Sequence, residues 1–143
     1  MDISINFWAV LVSAVASMVM GSIWYGPLFG KKFMKEKGMD TWSTEKQAEM
    51  KKSITMTYIW QFIASLVMFY VLAHFIRLGM VYYPDVSALK AGIHTGLWVW
   101  VGFALPLALG EAIWGGKMTL FWINVGNMLV TLLVAGAIIG AWN

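Results

Sequence analysis

Few side chains in this sequence could do chemistry, and they lie far apart along the chain. Thr57, Gln61 and Ser65 are spaced by four; Asn124 and Asn127 stand three apart, with Thr131 four further on. An α-helix turns about 100° per residue, so each set falls on one face. Amides and hydroxyls on a shared face either bond one another or bind water and solutes. Glu111 is the carboxylate nearest to Asn124 in sequence, and turned toward it would hold a proton or a cation; paired with Lys117 it would be structural. His74 and His94 could share a metal, relay protons or ligate a tetrapyrrole. With no cysteine in the chain and no carboxylate beside them, they form no metal-ligand set. Bonds to backbone or lipid headgroups are their simpler role. There is no glycine-rich phosphate loop and no nucleophile–base pair, so no enzyme, metal or cofactor is expected.

The elements that must position these residues follow from composition. Of 143 residues, 60% are hydrophobic and 12% charged, against about 25% charged in a soluble domain. Four apolar stretches, at about 3–25, 54–78, 87–109 and 118–142, stand out. Each reaches the roughly 20 residues that an α-helix needs to cross about 30 Å of hydrocarbon. Inside lipid the backbone must satisfy its own hydrogen bonds, so these are helices rather than strands. The expected fold is all-α: a polytopic integral membrane protein, with four transmembrane helices in one compact bundle. The first stretch has no basic start and runs on past Ala14-x-Ala16, so it reads as a retained span rather than a signal peptide.

A net charge of +3 suggests an anionic partner until the charges are located. Seven of the ten Lys/Arg lie between Lys31 and Lys52, mixed with four acids. That pattern is a membrane-flanking loop, about 28–53, and it excludes nucleic acid as the partner; the lipid bilayer takes that place. Lys117 joins the same side, leaving Arg77 and Lys90 on the other. The positive-inside rule then puts the loop in the cytoplasm and both termini outside it, in the cell's inner membrane. Trp24 and Tyr25 are expected at headgroup level, Pro27 at the helix end, and Lys31 against the anionic leaflet. Thr44-x-x-Gln47 has the form of a capping box, starting a polar helix over 45–53 that runs into the second span.

Small residues spaced by four let helix backbones approach closely where lipid removes the hydrophobic drive. Ser13, Ser17 and Gly21 form such a stripe on the first helix, and Gly92 and Gly96 one on the third. Gly136 and Gly140 lie on the fourth helix, away from its asparagines, and a contact between copies of the chain is expected there. Pro106 removes the bond to the Gly102 carbonyl and should kink the third helix.

The run Gly21-Ser-Ile-Trp24-Tyr25-Gly-Pro27-Leu-Phe29-Gly30-Lys31, with the C-terminal INVGNMLVTLLVAGAIIGAW, resembles the bacterial membrane family catalogued as domain of unknown function 1761. The resemblance covers essentially the whole chain. It implies four spans and a basic first loop, and no activity. Within the chain, Tyr58-Ile-Trp60 overlays Leu120-Phe-Trp122, and Gly21-Ser-Ile-Trp24 resembles Gly110-Glu-Ala-Ile-Trp114, which would make the bundle two parallel hairpins. The function these features suggest is a non-catalytic structural or accessory membrane protein, acting as a homo-oligomer or within a larger complex. A small-molecule or ion transporter or channel is the alternative if the polar faces converge on water. A pigment- or haem-binding protein would rest on the two histidines and nine tryptophans.

Overall fold

The computed structural model describes residues 4–142; Ile3, where the first expected span begins, lies outside the described residues. The chain is all-α, with no strand among the described residues. Helix α1 (Phe7–Ile23) passes into a π turn, Trp24–Leu28, and a short helix α2 (Gly30–Glu36) follows. Helix α3 (Thr44–Tyr82) comes next, then α4 (Ala88–Val99), a second π turn (Trp100–Ala104), α5 (Leu105–Gly115) and α6 (Met118–Ala141). Four segments are long and apolar enough to cross a membrane: Phe7–Leu28, Thr44–Tyr82, Ala88–Gly115 and Met118–Ala141. We call the end that carries α2 and the start of α3 the basic end, and the opposite one the far end.

Helix α6 is the axis of the bundle, in contact with each of the other three long segments. Its seam with α4 is built on glycine. Ala88 meets Gly140, Gly92 meets Gly136 and Gly96 meets Leu132, in antiparallel register. A Cβ at Gly92 would run into the Gly136 carbonyl, and one at Gly136 into the Gly92 carbonyl. Only hydrogen fits there, so the two backbones touch directly, as small-residue stripes allow. The two glycines of α6 expected between copies of the chain therefore pack within it. The stripe ends where Trp100 takes the next position, and there α4 gives way to the π turn.

Both π turns accompany a proline. Pro27 lies inside the first, and Pro106 follows the second at the start of α5. Proline lacks an N–H and its ring presses on the carbonyl four residues back. A π turn bonds one residue further on: Phe29 N–H donates to the Trp24 carbonyl at 2.9 Å, and Leu105 N–H to that of Trp100. The helix thus widens around Pro27 instead of stopping at it, and leaves helical geometry only at Phe29, where φ is −122°.

At the far end α1, α3 and α6 close on an apolar core. Ala9, Val10 and Ala14 meet Phe69, Leu72 and Ile76 across from Leu132, Ala135 and Ile139, all buried. Toward the basic end this core gives out. From Thr44 to Ala64 every residue of α3 but Met50 and Phe62 is exposed, so α3 stands apart from the bundle there. Its start is capped one residue earlier than the Thr44-x-x-Gln47 pattern indicates. Ser43 Oγ accepts from Lys46 N–H at 3.3 Å, while Gln47 Nε2 turns back to donate to the Trp42 carbonyl. The polar helix does run unbroken into the apolar one, as expected.

The far end carries a tie that spacing arguments overlook. Asn6 Oδ1 accepts from the N–H groups of Trp8 and Ala9, capping α1, and its Nδ2 donates to the Trp142 carbonyl at 2.9 Å, beyond the end of α6. Asn6→Ala is expected to cost about 1–2 kcal/mol, the worth of a cap. Asn6→Asp, which keeps the acceptor and loses the donor, should fall between. Thermal unfolding of the detergent-solubilised protein measures both.

Candidate functional site: an amide-lined cleft

Where α1 and α3 part, a cavity of about 460 Å³ opens between them and α6. Helix α1 and the π turn that continues it contribute Ser17, Gly21 and Tyr25, four residues apart. From α3 come Gln61 and Ser65, with Tyr58 in the place expected of Thr57, whose hydroxyl instead donates back to the Ser53 carbonyl. Asn124, Asn127 and Thr131 form the α6 wall. Each of the three helices also supplies one methionine: Met18, Met68 and Met128. The lining holds amides, hydroxyls and thioethers and no charged group.

The amides expected to face one another do share this space. They do not bond one another. Ser65 Oγ donates to the Gln61 carbonyl of its own helix at 2.9 Å, and Ser17 Oγ to that of Ala14 at 2.8 Å. Asn124 Oδ1 accepts the Tyr25 hydroxyl at 2.9 Å, a bond between α6 and the π turn after α1. Asn127 Nδ2 is buried with no hydrogen-bond partner. An unpaired buried donor costs about 1–3 kcal/mol, so this amide gains from any acceptor that a turn of its side chain brings it against in the cavity it lines. A polar cavity of this size has room for several waters or a small organic molecule.

Trp24 and Tyr25, expected at headgroup level, both turn inward. The Trp24 indole N–H donates to the Ile123 carbonyl at 2.9 Å, and its ring lies over Gly126, where an added Cβ would stand 3.0 Å from it. Trp100 makes the matching bond from the second π turn, donating to the Val125 carbonyl at 2.9 Å. Two indoles thus grip α6 beside its asparagines, each starting from a π turn. Trp114, which the internal resemblance sets against Trp24, makes no such bond and is 93% exposed. Pro27 and Lys31 are both exposed.

The family model described as "Protein of unknown function (DUF1761)" matches residues 8–140, taking in all three walls of the cleft. The chain belongs to the DUF1761 family. No curated protein and no solved structure matches it.

The remaining candidates of this DUF1761 chain lie elsewhere. Glu111 is exposed and sits not at the mouth of the cleft but in a separate cavity of about 160 Å³, with Lys37, Lys117 and Asn124. Asn124 lines both cavities. Lys117 does not turn to Glu111; its ammonium donates to the Glu36 carbonyl at 2.7 Å, at the end of α2 where a cation suits the helix dipole. His74 Nδ1 lies 2.8 Å from the Tyr70 carbonyl of its own helix, its ring edge-on to that tyrosine. His94 is exposed on α4. Among the described residues no group of three or more His, Cys, Asp and Glu could hold a metal. Of the first-helix stripe, Ser13 is buried in the α1 packing face with its hydroxyl unpartnered, while Ser17 and Gly21 line the cleft. The sequence signal overlooked was Ser17-x-x-x-Gly21-x-x-x-Tyr25, read as a packing stripe running into a boundary aromatic.

Proposed function

We propose that this protein spans the inner membrane four times and that its cleft binds an uncharged polar solute from the cytoplasmic side, as the inward-facing state of a small-molecule carrier. The observation that carries this reading is the unpartnered Asn127 amide in a charge-free cavity of about 460 Å³. If the polar faces were only glue, as the accessory-protein reading has it, the amides would bond each other; they leave a gap instead. A permanently charged cargo is disfavoured, because desolvating it needs a countercharge that the lining lacks. The methionine on each wall suits a ligand with an apolar part, since thioethers adapt to varied shapes. The packed far end blocks passage in this state. The basic bias of the Lys31–Lys52 loop orients the cleft's open end toward the cytoplasm and both termini outward.

The chain has no cysteine, so single cysteines report accessibility cleanly. Ser65→Cys and Asn127→Cys should react with a membrane-impermeant maleimide in inverted vesicles and not in intact cells. Phe69→Cys and Leu132→Cys, in the closed core, should stay unlabelled from either side. Asp85→Cys should be labelled in intact cells and Lys46→Cys protected. Unreactive cysteines at both 65 and 127 would mean a dry packing seam and end the solute reading; the reverse pattern at 46 and 85 would invert the orientation.

A further inference from the structure

A second cavity lies at the basic end, walled by α2, the turn that follows it and the start of α3. It encloses about 550 Å³. Lys31 and Lys35 enter it from α2, four residues apart and so on one helix face, and Lys51 reaches it from α3. Three lysines and one carboxylate, Asp40, line it, all of them exposed, and none of the three lysines is in an ion pair among the described residues. Like charges spaced by four on a helix repel, so the arrangement lacks its counter-ion. Apart from Gln47 the rest of the wall is apolar: Met34, Met39, Met50 and Trp42, over whose ring Lys46 sits at 4.4 Å. Gln47 holds that turn in place through the Trp42 carbonyl.

From this juxtaposition we infer a site for a phosphate group carried on an apolar chain, an anionic phospholipid of the leaflet that meets this end. The lysines would hold the phosphate, and the methionines and Trp42 the first carbons of the chain. A free phosphate would satisfy the lysines alone and leave the apolar wall in water, which is why the lipid is favoured over the soluble anion. A diffuse basic patch would need neither the cavity nor the convergence of two helices. The inference does not depend on the cleft, which lies further along α3 and shares no lining residue with this cavity.

The purified full chain in non-ionic detergent is titrated with phosphatidylglycerol, phosphatidylcholine and inorganic phosphate, and binding is followed by thermophoresis. Phosphatidylglycerol should bind more tightly than either of the others. Replacing Lys31, Lys35 and Lys51 together by Gln should weaken it roughly a hundredfold, at about fivefold per lysine. The Lys→Arg triple, which keeps the charges, should still bind. Replacing Lys32, Lys37 and Lys52 by Gln removes equal charge from the same loop outside the cavity and should change affinity less than about fivefold. Equal losses in the two Gln triples would reduce the site to non-specific charge and overturn the proposal. Inorganic phosphate binding as tightly as the lipid would overturn the lipid assignment, and no binding of any probe would overturn the site.

Discussion

Leucine in place of Gly136 is expected to lower the stability of the detergent-solubilised protein by about 3 kcal/mol or more, the upper range for overpacking. Ordinary overpacking is relieved when neighbouring side chains change rotamer. At Gly136 the neighbour is the Gly92 carbonyl, a backbone group that cannot swing aside, and Gly92 faces Gly136 in the same way. The only relief is to separate α4 from α6 along a seam that also holds Ala88 against Gly140 and Gly96 against Leu132. Even Gly92→Ala should be damaging. Gly110→Ala is the contrast: nothing lies within 4 Å of the position a Cβ would take, so the substitution should be neutral or gain up to about 1 kcal/mol of helix propensity. Thermal unfolding by circular dichroism reads all three, and size-exclusion chromatography reads assembly. A Gly136→Leu protein that keeps its melting temperature but changes its oligomeric state would place this stripe between copies after all.

Asn127→Leu should separate a binding cleft from a structural network. Asn127 Nδ2 has no partner, so replacing the amide removes a buried donor rather than a bond. Thermal stability should hold or rise by about 1 kcal/mol, while the cleft loses its free donor and much of its water. Maleimide labelling of Ser65→Cys in that background should slow about tenfold, the equivalent of 1.4 kcal/mol. Asn124→Leu is expected to behave oppositely. It strands the Tyr25 hydroxyl that Asn124 Oδ1 accepts, and should cost about 1–2 kcal/mol. If the two asparagines destabilise equally when replaced, the polar set is glue and the carrier reading fails.

Length and polarity were enough to place most of the architecture. Four apolar stretches of spanning length leave α-helix as the only backbone that satisfies itself in lipid, and the four long segments lie where those stretches are. The grouping of Gln61, Ser65, Asn124 and Asn127 was also legible, because faces follow from helical period and depths from distance to the ends. What these rules do not carry is separation between helices. Whether four polar groups bond or leave a gap turns on a few ångströms, and that distance is decided elsewhere: by the Phe69–Ile76 core joining α1 to α3 only at the far end.

The other departures share that cause. A small-residue stripe states that something approaches closely and not what approaches, so Gly136 suited a second copy of the chain as well as it suits Gly92. Trp24 is amphipathic, and a ring with one polar atom fits a headgroup layer as well as the Ile123 carbonyl. Glu111 misses the cleft because its place is set by α5, beyond the π turn at Trp100. Where the four long helices run and which of their faces carry amides could be read from the chain alone, since these depend on residues within a few turns of one another; the short α2 inside the basic loop was not anticipated. The tertiary structure decided which faces meet and how far apart they stand, because those depend on backbone contacts between α4 and α6 and on core packing between segments some sixty residues apart.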